Sequence, residues 1–312
     1  VKNLKKDDLL ITFICGGGSA LLCGSEKELK DSVLATKLLT QAGADILELN
    51  TVRKHISEIK GGGLAKLAYP ATIVSLVVSD VLGNNLSMVA SGPTVFCKTT
   101  EKDAEKVLKK YKIDHKKFHL KENSKDKKYF KKVKNILFLS NREPLLAIAE
   151  KAKKLGFKPK IYSYSLKGEA RNALSSLIKN VPRVERAVIL AGGETTVTLQ
   201  SSKFPASPAG REVKSLKLGK GGRNQESVLG IISKAFNTNY LLQNTVVLSI
   251  ASDGRDNTEV AGAIGDFLTI QKAQKLKLNP QKYLDSHDSF NFFKKTGDLI
   301  YTEQKTFNVA DL

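Results

Sequence analysis

The chain has 312 residues, room for two α/β domains, and its 41% hydrophobic and 26% charged residues belong to a globular class rather than a disordered one. No run reaches the ~18 apolar residues of a membrane span, and three cysteines without paired spacing (Cys15, Cys23, Cys97) exclude a zinc ribbon or disulfide framework and suit a reducing compartment. The formal charge of +20 suits an anionic substrate or a nucleic acid, or reflects lysines on solvated helix faces.

Short β-rich runs alternate with helical periodicity, the pattern of an α/β fold. Leu10–Cys15 reads as a first strand, leading into a glycine-rich turn. Leu29, Val33, Leu34, Leu38 and Leu39 form the apolar face of a helix stopped by Gly43. Asn50 or Thr51 is the expected cap of the next helix, with Val52, Ile56 and Ile59 inward and Gly61–Gly63 ending it. Ala71–Ser79 is nearly continuously apolar, as in the centre of a parallel sheet. The block Lys98–Lys134 holds 15 lysines against six acidic residues, without arginine or interleaved aromatics, and reads as a solvated connecting region. A further β-α-β unit follows: strand Asn135–Ser140, helix Glu143–Leu155, strand Lys160–Ser165. Strands are expected at Ala187–Ala191, Thr195–Leu199 and Thr245–Ala251, with a helix after Arg223 and an exposed, mobile loop at Ser201–Leu218. The domain boundary falls near residue 130.

Polar residues gather where strands end, the place for ligands in open α/β sheets. Gly16, Gly17, Gly18 and Ser19 offer convergent backbone amides and a hydroxyl, although the lysine of a P-loop and the spaced glycines of a dinucleotide fingerprint are absent. Arg53 and Lys60, seven apart, share one helix face that suits a carboxylate or phosphate, or is simply solvated. His55 has no metal-like neighbour and reads as structural. Asp80, at a strand end, suits Mg²⁺ or a proton, or caps a buried turn; Ser91, Gly92 and Thr94 form a second tight turn. Glu194, the Gly221-Gly222-Arg223-Asn224 turn and Asp253 complete the set, with Arg223 at a helix N-terminus where an anion meets guanidinium and amides together.

These strings, GGGSALL, LNTVRKHIS with KGGGLA, SDVLGNNLSMVASGPT, AGGETTVT, GKGGRNQES, SDGRDNTEVAGA and the closing NVADL, together resemble the glycerate 2-kinase family, whose second half carries the MOFRL domain. HDSFNFF is similar to animal-type members. The resemblance runs over nearly the whole chain. It implies two α/β domains: a Rossmann-like one over residues 1–130, incomplete at its N-terminus, and a smaller one over 131–312 with the MOFRL region from about 188.

The resemblance further implies ATP-dependent phosphorylation of D-glycerate to 2-phosphoglycerate, with ATP and Mg²⁺ as cofactors and substrates in an interdomain cleft. Gly16–Ser19 and Ser91–Thr94 are then expected to hold phosphate oxygens, and Arg53 or Lys60 the glycerate carboxylate. Asp80 and, second, Asp253 ligate the metal, and Arg223 serves the transferring phosphoryl group. Glu194, Gly221, Gly222, Asn224 and Asn308 line the substrate and nucleotide sites. Such an enzyme is expected in the cytoplasm, or in mitochondria if a targeting segment precedes Val1, and a homo-oligomer is compatible with it. No nucleic acid partner is expected.

The family's pattern is also broken in places. Its members carry a lysine and a Gly-His-Pro motif upstream of the residue matching Val1. Many read Asp-Val-Pro-Gly-Asp-Asp where Asp80–Asn85 stand, and a glycine-containing loop where Thr302–Asn308 stand; Asn257 follows Asp256 where a glycine is usual. A relative that binds nucleotide or glycerate without turnover therefore stands as the second reading, and a basic nucleic-acid-binding protein as the third.

Overall fold

The computed structural model describes residues 1, 3–181, 184–198, 219–236, 242–302 and 308–312. The expected loop Ser201–Leu218 and most of the 302–308 segment lie outside the described residues. Two compact units emerge, Val1–Ser140 with Phe307–Val309, and Asn141–Thr306 with Ala310–Leu312.

In the first unit, β1 (Leu9–Ile14) leads through α1 (Gly18–Leu21), α2 (Glu26–Gln41), α3 (Ile46–Ile56) and α4 (Gly63–Ala68) to β2 (Thr72–Val78). Then come α5 (Glu101–Lys110) and β3 (Val133–Leu139). The strands pair in parallel in the order β1-β2-β3, with Phe13 opposite Leu76 and Leu76 opposite Ile136. Because β3 is hydrogen-bonded to β2, the first unit runs to Ser140, a little beyond the boundary expected near residue 130. Ile73, Ser75 and Val77 are buried on one face of β2, whereas Leu9, Ile11 and Phe13 of β1 are more than half exposed.

The lysine-rich block is not a connector. Ala104 and Leu108 of α5, together with Phe118, pack with Ala35, Leu39, Leu49, Val52 and Ile56 in one core. Its lysines remain outside, and Thr100 caps α5 in a capping box with Asp103. The next helix boundary also differs from expectation. Asp45, not Asn50 or Thr51, caps α3, accepting from the Glu48 amide while Glu48 reaches back to the Asp45 amide. That helix ends at Ile56, and the glycines Gly61–Gly63 open α4 instead of closing α3.

In the second unit, α6 (Arg142–Lys154), β4 (Lys158–Leu166), α7 (Ala170–Ile178) and β5 (Ala187–Gly193) precede α8 (Arg223–Phe236). β4 and β5 are parallel. β6 (Val247–Ile250), β7 (Gly262–Gly265), α9 (Phe267–Lys275), α10 (Pro280–Asp285), α11 (Ser289–Thr296) and β8 (Leu299–Ile300) follow, the three strands forming an antiparallel sheet. Of the strand expected at Thr195–Leu199, the described residues hold only an isolated bridge from Thr196 to Glu169. Helix α8 is buried nearly all round, with a polar first turn, and its Val228, Leu229, Ile231, Ile232 and Ala235 belong to the core of this unit. The fold is thus mixed α/β with parallel sheets and one antiparallel addition. No helix among the described residues is long and apolar enough to cross a membrane.

Candidate functional site

In the first unit, helices α2 and α3 hold a small pocket of about 270 Å³ lined by Ser19, Ala20, Ser32, Val33, Thr36, Lys37 and Arg53. The Arg53 side chain is 8% exposed and donates through Nη2 to Thr36 Oγ1 at 3.1 Å. Its Nε and the Ser32 hydroxyl oxygen, on a residue 4% exposed, are buried without a hydrogen-bond partner among the described residues. Burial lowers the guanidinium pKa from its ordinary value, yet arginine keeps its charge at neutral pH. A buried cation with an unsatisfied donor, beside an unsatisfied hydroxyl, is a costly arrangement unless a ligand oxygen completes it.

Lys60 does not join Arg53. It lies beyond the end of α3, its side chain is wholly buried, and its ammonium donates to Leu22 O at 2.5 Å and Glu28 Oε1 at 3.3 Å. Burial of Glu28 works against its charge, but hydrogen bonds from Ser57 and the Glu58 and Gly24 amides, with Lys60 beside it, lower its pKa. The expected carboxylate ligand is therefore one half of an internal ion pair that pins the 22–28 segment to the end of α3.

The glycine turn at residues 16–19 is set by local geometry. Gly17 has φ of 84° and open space where a Cβ would stand, and it caps α1. A Cβ at residue 16 would lie 1.8 Å from Asp80 Oδ2, so the Asp80 carboxylate rests directly against this turn. Ser19 shares its hydroxyl with Ser91 at 2.9 Å, and Ser91 donates to Asn50 Oδ1 at 3.0 Å.

The Ser91–Thr94 turn faces inward. Ala90, Ser91 and Gly92 all have positive φ, and the Ser91 and Gly92 carbonyls accept from the Gly61 and Gly62 amides. Thr94 is 1% exposed, with its hydroxyl accepting from Ser75 and donating to Asn135 Oδ1. The Thr94 hydroxyl is thus engaged within the protein, so the part expected of this turn would fall to its backbone amides. His55 is structural: Nδ1 meets Lys121 O at 2.8 Å and Nε2 meets Thr99 Oγ1 at 3.1 Å.

In the second unit, Arg223 opens α8 and is bound on two sides. Nε and Nη2 donate to the Asp311 carboxylate at 2.5 and 3.2 Å, and Nη1 donates to Glu194 Oε1 at 2.6 Å. Burial works against its charge, and the two carboxylates more than restore it, raising its pKa. Asn224 is a supporting residue: its side-chain amide donates to Asp256 and Asp311 and accepts from Ser249. Asp256 caps α8 by accepting from the Asn224 and Gln225 amides at 3.0 and 2.8 Å. Gly222 is required by packing, since a Cβ there would lie 2.0 Å from Asp256 O, whereas at Gly221 a Cβ would meet the Ser289 hydroxyl at 2.2 Å, the end of a side chain that can turn away. Asp253 accepts from the Arg255 amide in a local turn. Asn308 is half-buried, in the first unit. Asp311 and Asp256 are the residues that sequence reasoning left without a role.

No group of three or more His, Cys, Asp or Glu among the described residues could hold a metal. The Asp80 carboxylate against the glycine turn is a single donor group, which suits a Mg²⁺ whose other positions phosphates and waters would supply.

Profiles of known families match at both ends: a domain of unknown function (DUF4147) over residues 1–121 and the MOFRL family over residues 187–311. A glycerate 2-kinase from Pyrococcus horikoshii is 36% identical, the match covering 100% of this chain and 71% of that protein. A putative hydroxypyruvate reductase from Agrobacterium vitis is also 36% identical, over 100% of this chain and 70% of its own length. The crystal structure of a glycerate kinase from Thermotoga maritima superposes with a TM-score of 0.78 at 32% identity, covering 100% of this chain and 73% of that one. Identity at this level over the whole chain, with the MOFRL profile and the shared fold, establishes that the chain belongs to the glycerate 2-kinase family.

Proposed function

We propose that this chain phosphorylates D-glycerate with ATP, giving 2-phosphoglycerate and ADP. The observation that carries the reading is the α2–α3 pocket, where Arg53 Nε and Ser32 Oγ are buried, polar and unsatisfied. At about 270 Å³ the pocket is below the ~300–1,000 Å³ of typical drug-sized sites, a scale that suits a three-carbon acid rather than a nucleotide. Arg53 would bind the carboxylate, and Ser32 and Ser19 would bind oxygens beside it.

Phosphoryl transfer asks a protein for position and charge more than for covalent chemistry. The glycerate 2-hydroxyl oxygen attacks the γ-phosphorus, ADP leaves, and the hydroxyl proton is released. The turn Gly16–Ser19 would present amides to phosphate oxygens. Arg223 would meet the charge that spreads over the transferring group, its Nη1 edge exchanging the exposed Glu194 for a phosphoryl oxygen. Asp80, against Gly16, is the residue that would hold a Mg²⁺ arriving with ATP, with Asp253 the second candidate, and the ion would supply neutralisation of phosphate charge.

The test is a coupled ADP-release assay on the wild-type chain and Arg53→Met. Turnover with D-glycerate, and a KM for glycerate raised at least about tenfold in the variant, is expected from loss of a charge-assisted pair. Glycerate binding without turnover would instead assign a catalytically impaired relative. Oxidation of NADH with hydroxypyruvate and no ADP release would contradict the kinase reading.

A further inference from the structure

We infer that Asp311 positions Arg223 for the reaction, a reading that rests on the kinase function proposed above. The placement is enforced by two backbone pairings. The Asp311 backbone is paired to Gly193 at the end of β5, amide to carbonyl both ways at 2.9 and 3.1 Å. Leu312 and Ile250 exchange the same pair of bonds at the end of β6, both at 2.9 Å. The Asp311–Leu312 segment is therefore stitched between two strand ends, and the Asp311 carboxylate, on a residue 8% exposed, has a fixed origin.

From there it accepts from Arg223 Nε and Nη2 along one edge of the guanidinium, and from Asn224 Nδ2 at 2.9 Å. Two parallel bonds from a planar fork fix both distance and plane. Asn224 is itself held by Asp256 and Ser249, so the carboxylate cannot swing. What remains of the guanidinium is the Nη1 edge, and its partner Glu194 has a side chain 46% exposed against 10% for Asp311. The two carboxylates thus divide the work: the buried one orients, and the exposed one occupies the edge that an anion would take. Asp311 touches no reacting atom in this scheme and is a positioning residue. A desolvated carboxylate there is expensive, since burial pushes its pKa up, and only the fixed cation and amide around it offset that cost.

The test uses the full chain and Asp311→Asn, which keeps the shape and the backbone pairing but removes the charge and one acceptor. The Nε–H resonance of Arg223, assigned by its disappearance in Arg223→Lys, is expected to exchange slowly with solvent in wild type and to broaden or vanish in Asp311→Asn. kcat is expected to fall about 10- to 100-fold while the KM for D-glycerate stays within about twofold, as for a group that acts on orientation in the transition state. An Arg223 resonance that is unchanged in the variant overturns the inference, whatever happens to turnover. A lost resonance with unchanged kcat overturns it too, leaving Asp311 purely structural. If the wild-type chain releases no ADP but the resonance is protected and then lost, the kinase reading fails while the orientation of Arg223 by Asp311 stands.

Discussion

The Lys60–Glu28 pair gives the account its sharpest separation of stability from ligand binding. Both side chains are essentially inaccessible, 0% and 2% exposed, and the charges lie 3.3 Å apart. At that distance an effective dielectric of ~20 gives an attraction of about 5 kcal/mol, most of which offsets the cost of removing both groups from water. Lys60→Met leaves Glu28 Oε2 with its two amide donors, Gly24 and Glu58, but strands a buried negative charge without its cation. Breaking one side of such a pair costs about 3–5 kcal/mol. In a unit of this size that corresponds to a melting temperature lower by about 6 to 20 °C. Glu28→Gln in the same chain removes the stranded charge and is expected to recover most of the loss. Thermal denaturation at pH 7, followed by far-UV circular dichroism, reads both variants, and D-glycerate titration of folded protein below the transition reads binding. A Lys60→Met protein that melts with wild type but binds glycerate more weakly would refute the assignment and return Lys60 to the carboxylate site.

Further outcomes follow from the same contacts. Burial pushes the Cys97 thiol up, but the neighbouring His55 ring, the Thr99 hydroxyl and the Lys54 charge bring it down to about 7 from an ordinary 9.0. A depressed pKa in the folded state stabilises above the unfolded value and loses that contribution as pH falls through the folded one, so urea stability should rise from pH 7 to 9 in wild type; Cys97→Ser is expected to flatten that rise, and an unchanged slope would contradict the assignment. Gly222→Ala forces a Cβ to within 2.0 Å of the Asp256 carbonyl, a backbone atom that cannot step aside, so it is expected to lower the melting temperature of the second unit even with no nucleotide present. A melt indistinguishable from wild type would mean that Gly222 is there for another reason.

Much of this structure is legible in the sequence wherever a local rule decides it. The strand at Leu9–Ile14, the β-α-β run from Val133 to Leu166 and the helix opening at Arg223 follow from periodicity and turn residues alone. The Asp45–Glu48 capping box was equally local, but Asn50 and Thr51 lay closer to the apolar pattern and drew the helix start too late. Helix α2 shows where local reasoning stops. Its leucine face predicts Leu29, Val33, Leu34, Leu38 and Leu39 inside; Leu39 is buried and Leu38 packs against the core, yet Leu29, Val33 and Leu34 are 46%, 60% and 37% exposed, while Glu28, Ser32 and Ala35 are buried. Glu28 goes inward to meet Lys60, and Ser32 lies buried beside the pocket that Arg53 lines, both partners distant in sequence.

The candidate site divides in the same way. Arg53 and Arg223 were visible as cations at helix positions that suit anions. The partners that fix Arg223 were not: no short-range signal connects Asp311 to a helix start 88 positions earlier. Gly221, Gly222 and Thr94 carry the residue types of phosphate loops, but the space around them is taken by Ser289, Asp256, Ser75 and Asn135. Residue type alone does not separate a glycine that admits a ligand from one that admits a neighbouring backbone.

The most direct test of the proposed activity is the phosphorus NMR spectrum of the products when this chain is incubated with ATP, Mg²⁺ and D-glycerate. The account predicts ADP together with one new monoester resonance, that of 2-phosphoglycerate, abolished in Arg223→Ala. A resonance of 3-phosphoglycerate, or product formation by Arg223→Ala at a rate within a few-fold of wild type, would contradict it.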